Sequence, residues 1–275
     1  MALTTSAVCI GDNCIDHYLP PINRRFVGGN ALNVAVHMSR AGLSTAYVGA
    51  VGDDPEGKQT IKELRRQGID VSHIQIHPGK TSTTDILLTP EGDRKFVYEY
   101  IGPLKKLELE TDTLEFIIRH DLAHNSWLGG TEKYLSLFKR AKLLVSFDFG
   151  ERYSQDFLDR VIADVDVAFF STTEVAGHQA KEFASQIGQR GPRLVVITMG
   201  HWGSLAYDGS LHFQSAFPAQ VVDTLGAGDT FIGVFLACWM KEFPIADCLK
   251  EAAKSAAHTC THFGAWEQNA FEDEK

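Results

Sequence analysis

Asp223-Thr224-Leu225-Gly226-Ala227-Gly228-Asp229-Thr230-Phe231 is a turn of small residues that closes on a carboxylate, and an apolar helical pattern from Phe231 to Met240 follows it. Gly226, Ala227 and Gly228 carry almost no side chain. Their amides can therefore converge on a phosphate at a helix N-terminus, where unpaired N–H groups and the helix dipole favour negative charge. Asp229 stands beside that anion site. Two anions repel, so its chemical use is to accept the proton of a nucleophile attacking the phosphate. The same residues also suit an Asp N-cap after a glycine-rich turn, which carries no chemistry.

A second glycine signal, Gly28-Gly29-Asn30, opens a helical run with Asn33 one turn later. Each carboxamide both donates and accepts, which matches a sugar hydroxyl, and the glycines admit close approach of backbone to a ring. Capping by Asn30, with Asn33 on the polar face, is the alternative use.

The elements that must hold these residues follow from the pattern. β-type runs at Ala7 to Gly11, Thr45 to Val48, and near Val71, Leu122, Leu143, Val165 and Leu194 alternate with helical runs such as Ala31 to Arg40 and Gly57 to Gln67. That alternation predicts an α/β fold with right-handed crossovers and a mostly parallel sheet covered on both faces. One segment departs from it. Thr81 to Leu88 and Arg94 to Tyr100 flank Thr89-Pro90-Glu91-Gly92-Asp93, a hairpin that must project from a parallel layer. Its open edge is a candidate for pairing across a two-fold axis in a homodimer.

With 275 residues, 44% of them hydrophobic, the chain can bury one large core. A formal charge of −9 argues against nucleic acid or an anionic membrane as partner. Five cysteines without a Cys-x-x-Cys pair indicate neither a disulfide framework nor a zinc site, and a reducing cytoplasm fits. The start lacks the pattern of a signal peptide, and the apolar run of Phe231 to Met240 is about half the roughly 20 residues that span a bilayer. It reads as a buried core helix.

Taken with Gly42 and Val51-Gly52-Asp53-Asp54-Pro55-Glu56-Gly57, the two glycine motifs make the chain resemble the ribokinase/PfkB family of carbohydrate kinases over nearly all its length. The resemblance implies a ribokinase-like three-layer α/β/α fold over residues 1–275 as a single domain, with a small β-hairpin lid from about 13–27 and 80–101. It implies transfer of the ATP γ-phosphoryl group to a primary hydroxyl of a small-molecule acceptor. Asp229 would be the base, and Gly226, Ala227 and Gly228 the anion turn that also meets the nucleotide. Asp12, Asn13, Gly28, Gly29, Asn30, Asn33 and Glu99 would face the sugar, with Asp12 accepting from two hydroxyls and Asn13 adding a donor. On the nucleotide side, Val195 to Gly203 resembles the family's Thr-x-Gly-x-x-Gly element, which marks Thr198, Gly200 and Gly203, while Ala257 and His258 would lie near the adenine. Magnesium would accompany ATP. The family's Asn-x-x-Glu is Ser171-Thr172-Thr173-Glu174 here, so Glu174 remains a water-mediated partner while the asparagine is absent. Asp223 would bind a monovalent cation such as potassium, and Arg152 would reach the phosphates or pair with Glu151 or Asp156.

Three features point further within the family: the opening Gly11-Asp12-Asn13-Cys14-Ile15-Asp16, the early Gly28-Gly29-Asn30 and the ending His262-Phe263-Gly264-Ala265-Trp266. They resemble members that act on a sugar amine, and the expected acceptor is fructoselysine at its 6-hydroxyl. Ribose, ketodeoxygluconate or another hexose is the alternative within the family, and a sugar- or nucleotide-binding regulatory protein the alternative outside catalysis. The charged head of such an acceptor would be read by Asp16, Asp85, Glu99, Arg24, Arg25 or Arg94, all in the opening loop or the hairpin.

Overall fold

Short apolar runs buried on both faces form the centre of this protein, because helices cover each side of the sheet they build. In the computed structural model residues 5–89, 92–151, 153–172 and 177–271 are described, the side chains of 177 and 178 excepted. The chain opens with β1 (Ser6–Ile10), β2 (Cys14–Tyr18), β3 (Arg24–Gly28), α1 (Asn30–Arg40), β4 (Ser44–Val48) and β5 (Ala50–Gly52). Next come α2 (Pro55–Arg66), β6 (Gln75–His77), β7 (Thr83–Leu88), β8 (Arg94–Tyr100), α3 (Thr111–Ile117) and β9 (Leu122–Ser126). They are followed by α4 (Leu135–Arg140), β10 (Leu144–Asp148), α5 (Gln155–Val161), β11 (Val167–Ser171), α6 (Gly177–Gly188) and β12 (Leu194–Thr198). The last elements are β13 (Ser204–Tyr207), β14 (Leu211–Gln214), α7 (Ala227–Met240) and α8 (Ile245–Thr259).

Eight strands form the main sheet in the order β14-β13-β12-β11-β10-β9-β1-β4. From β12 to β4 every neighbouring pair is parallel. β13 and the edge strand β14 run antiparallel to their neighbours, since only a short turn separates β12 from β13 and a parallel return needs a crossover. Alternate residues of one strand serve opposite cores. Cys9, Leu122, Val167 and Val196 pack with α1, α7 and α8, whereas Val8, Ala123, Ala168 and Val195 pack with α3, α4, α5 and α6. Three layers, helix on sheet on helix, result. The expected strand near Val71 is absent. Asp70 makes a single bridge to Ala46, and its side chain then accepts from the Ser72 amide (2.8 Å), turning the chain before β6 pairs with β5.

A second, four-stranded sheet has the order β3-β2-β7-β8. β2 and β3 come directly after β1, and the β7–β8 hairpin joins them through a parallel β2–β7 pair. Residues 90 and 91, at the hairpin turn expected from the sequence, lie outside the described residues. β8 is exposed along its whole length.

Helix α7 is apolar on most sides because it is wedged between α1 and α8. Gly233 makes that wedge possible. A Cβ there would stand 2.7 Å from His37 Cβ and 2.9 Å from the Val34 carbonyl oxygen of α1. Gly233→Ala should therefore cost about 1–3 kcal/mol of stability through overpacking, read as a lower denaturant midpoint. An unchanged midpoint would mean that α1 and α7 can separate without cost.

Candidate active site

The chain passes from β1 to β4 on one side and later reaches β9 on the other, so strand order reverses at β1. In sheets of this kind the crevice beyond the carboxyl ends at such a point is where ligands bind. Three polar residues mark it: Asp12 just after β1, Ser126 ending β9 and Asp148 ending β10.

Asp12 is buried and does not wait for a ligand alone. It accepts from the backbone amides of Asn30 (2.7 Å) and Ala31 (3.2 Å) and from Ser126 Oγ (3.0 Å). Helix α1 begins at Gly29, which has no side chain to cap it, so Asp12 supplies the cap from another loop. The loop and the helix can meet because Gly29, at φ 112°, lets the Asp12-Asn13 backbone approach; a Cβ would lie 2.4 Å from Asn13 Cα. Burial raises the Asp12 carboxyl, opposed by the hydrogen bonds from Ala31 and Asn30.

Asp229 lies in the first turn of α7, half-buried. Its Oδ1 accepts from Asn30 Nδ2 (3.0 Å) and its Oδ2 from Asn33 Nδ2 (2.7 Å). Asn30 Nδ2 also donates to Asp148 Oδ2 (2.8 Å), so one carboxamide bridges two carboxylates. The carboxamide oxygens of Asn30 and Asn33 are buried without a partner. Burial pushes the Asp229 carboxyl up to about 8; the Asn33 hydrogen bond opposes this, and the charges of Asp148 and Asp12 add to it. Gly226, the residue before α7, has φ 76° and lies so close to Ala265 that a Cβ would fall 2.3 Å from its methyl carbon. Gly228 has only open space around it. No side chain caps α7, and among the described residues the amides of Gly228 and Asp229 have no backbone partner. A helix N-terminus with free amides and a high-pKa carboxylate in one turn can bind an anion and take up a proton beside it.

Other expected residues fall variously. Asn13 is a correction: its Nδ2 donates to Tyr47 Oη (3.1 Å) and the Ala50 carbonyl (2.9 Å), so both amide hydrogens are spent inside the protein and only the buried Oδ1 lacks a partner. Gly28 is required by Asp16, whose Oδ2 would sit 1.8 Å from a Cβ there. Asp16 accepts from the Cys14 thiol (3.3 Å), and its carboxyl is pushed up to about 7 by burial, with the Asp223 charge adding. Thr198 Oγ1 and Ser171 Oγ share a hydrogen bond (2.9 Å) at the ends of β12 and β11. Gly200, at φ 55°, is open, whereas Gly203, at φ 106°, packs against the Gln214 carbonyl in the β13–β14 hairpin. Ala257 is half-buried on α8, and His258 lines a crevice of about 280 Å³ with His37, Arg40 and Thr230 rather than with Thr198 or Gly200. Glu174 and Arg152 lie outside the described residues.

Of the charged residues expected to read an acceptor's head, most already have partners within the protein, Asp16 with Cys14 among them. Asp85 pairs with His17 (2.9 Å), Arg25 with Glu56 (3.1 Å), and Arg24 lies over the Phe263 ring (5.5 Å). Glu99 is exposed on β8 opposite Thr84. Arg94 donates to the carbonyl and hydroxyl of Thr224 (3.2 Å each), which brings the tip of the hairpin onto the anion turn. Asp223 is enclosed: Oδ1 accepts from the Leu225 amide (2.9 Å), and Oδ2 from the Gly264 amide (3.1 Å) and from the Tyr18 hydroxyl. Asp148, Ser126 and Tyr18 escaped the sequence reading. For the first two the usable signal was a polar residue closing an otherwise apolar strand, as at Asp12.

A family model described as pfkB family carbohydrate kinase matches residues 5–270. The chain is 33% identical to fructoselysine 6-kinase of Escherichia coli (strain K12), covering 94% of this chain and 98% of that protein. Fructosamine kinase FrlD of Bacillus subtilis (strain 168) is also 33% identical, over 94% of this chain and 92% of that one. Among solved structures, ribokinase of Arabidopsis thaliana complexed with ribose and ATP matches with a TM-score of 0.83 at 22% identity, covering 96% of this chain and 95% of the other. Ribokinase from Giardia lamblia gives a TM-score of 0.81 at 21% identity over 96% and 95%. The fold is ribokinase-like.

The raised carboxyl of Asp229 has a consequence for stability. Its folded value of about 8 exceeds the unfolded value of about 3.9, so between these pH values the folded state holds a proton that the unfolded state has lost. Stability contributed by this group therefore falls as pH rises from about 4 to about 8. Asp229→Asn should flatten that slope in urea titrations across the range; an unaltered slope would show that the carboxyl is not perturbed.

Proposed function

The chain belongs to the pfkB family of carbohydrate kinases, and on that premise we propose that it transfers the γ-phosphoryl group of ATP to the 6-hydroxyl of fructoselysine. The observation that carries the chemistry is Asp229, gripped by two carboxamides of α1 in the same turn that offers free amides. The proton of the acceptor hydroxyl passes to Asp229 as that oxygen attacks the γ-phosphorus. The bond to the β–γ bridging oxygen breaks, and ADP leaves with its electron pair. The amides of Gly228 and Asp229 offset the charge on the moving group, while the Ala227 amide is spent on the Thr224 carbonyl (3.3 Å) and Arg94 adds a cation beside Thr224.

On the acceptor side, the unpartnered oxygens of Asn30 and Asn33 are available to hydroxyl protons, while Asp12 and Asp16 present buried carboxylates. The second sheet, with Glu99 on its outer strand, is the lid over the sugar. Thr198 and Gly200 lie on the nucleotide side. Among the described residues no three His, Cys, Asp or Glu side chains gather as a metal cage, and Ser171 is engaged with Thr198. Magnesium would come in with the phosphates and neutralise their charge, and Glu174 is the residue that would hold it, through water.

The choice of acceptor rests on the fructoselysine and fructosamine kinases to which the chain is similar. The enzyme is cytoplasmic in this reading; no helix among the described residues is long and apolar enough to cross a membrane. It works as a homodimer through β8, an open edge that exposes Phe96, Val97 and Tyr98.

Fructoselysine should be used at least about tenfold more efficiently, in kcat/KM, than fructose or ribose, a margin of about 1.4 kcal/mol. Equal use of a plain sugar would leave only the broader carbohydrate-kinase assignment. Asp229→Asn should keep nucleotide affinity by calorimetry and lose turnover by about 10²- to 10⁴-fold; turnover near the wild-type rate would remove Asp229 as base. Because the base must be ionised, kcat/KM should rise with pH toward about 8, and Asn33→Ala should move that limb upward by removing a donor to the charged form.

A further inference from the structure

Asp223 is fully buried beside the anion turn, where a monovalent cation was expected. Hydrogen-bond donors meet its carboxylate instead. The Leu225 amide bonds Oδ1, and the Gly264 amide and the Tyr18 phenol bond Oδ2. Donor hydrogens aimed at a carboxylate repel a cation, and a bound cation would have to displace at least one of them. The nearby Cys260 carbonyl is also engaged, accepting from the amides of Val222 and Asp223. These residues do not fit a cation at the carboxylate.

Tyr18 differs from the other two donors because it comes from β2, in the second sheet. Its ring is fixed edge-on to Phe26 (5.6 Å) and Phe263 (5.9 Å), and its hydroxyl also accepts from the Gly264 amide (3.1 Å). One phenol therefore ties the second sheet, the segment after α8 and the anion turn together. We propose that Tyr18 is a positioning residue that takes the place of a monovalent cation at Asp223, so that phosphoryl transfer by this enzyme needs neither potassium nor another monovalent metal ion. The proposal rests on the kinase reading for its activity readout and on the fold alone for its binding readout.

The test uses the full chain in buffers whose only monovalent cation is tetramethylammonium, with potassium chloride replacing it up to about 0.1 M at constant ionic strength. Wild-type melting temperature, which needs no substrate, should not move, because a cation bound to the folded state would raise it by mass action. Wild-type kcat with magnesium, ATP and fructoselysine should stay within about twofold across the same series. Tyr18→Phe should lower kcat by about tenfold or more without potassium, leave the KM for ATP nearly unchanged, and regain rate as potassium is added. A wild-type melting temperature or kcat that climbs with potassium would overturn the proposal. So would a Tyr18→Phe enzyme that matches wild type in rate and in indifference to potassium. If Tyr18→Phe fails to fold, the wild-type melting series decides alone; if no acceptor is turned over, the kinase reading fails while the melting series still decides the cation question.

Discussion

Helices α1 and α7 start beside one another, and Asp12, Asn30, Asn33 and Asp229 are arranged around those two N-termini. An uncapped helix start leaves amides that must find acceptors or remain exposed. At α1 the problem is solved internally, by the Asp12 carboxylate accepting from Asn30 and Ala31. At α7 it is left open, because Gly226 has no side chain and, among the described residues, the amides of Gly228 and Asp229 have no backbone partner. The difference separates a structural helix start from one that is ready for an anion. The Asn30 and Asn33 side chains then connect the two, projecting from α1 to hold the Asp229 carboxylate of α7.

The concentration of carboxylates is the electrostatic cost of this design. Burial does most of the work in raising the carboxyls of Asp12, Asp148 and Asp229; the Asp12 charge adds to it at Asp148, and the charges of Asp148 and Asp12 add to it at Asp229. Carboxamides and amides, rather than cations, separate them, and the Asn30 Nδ2 between Asp148 and Asp229 is the clearest case. Neutral donors stabilise the charged form without filling the crevice with long basic side chains. The exposed Arg94, at the start of β8, is a cation whose charge reaches Asp229.

Much of this was legible in the sequence. The strand and helix runs, the projecting hairpin and the two glycine motifs are local signals, because each depends on the period or the backbone freedom of a few adjacent residues. What could not be read is which donor meets which acceptor. Asn33 reads only as a residue facing the sugar until its Nδ2 is seen to donate to Asp229, and Asn13 reads as a donor until both hydrogens are found turned inward to Tyr47 and Ala50. Tyr18 and Asp223 are far apart in the chain, and nothing local to either announces their bond. The strand expected near Val71 was lost to an Asp70 side chain that competes for the backbone.

The wedging of α7 between α1 and α8 also bears on how the protein is made. On a ribosome the α1 face that carries Val34 and Met38 emerges early, while the α7 and α8 residues that share its core are synthesised much later. Until then that side of the sheet lacks α7 and α8 and is only partly covered by α1, and the nascent chain exposes apolar surface of the kind that chaperones bind. The proposed base arrives with that same later stretch, since Asp229 belongs to α7. A partly translated chain is thus both sticky and inert, and competence comes in one step when the last helices dock.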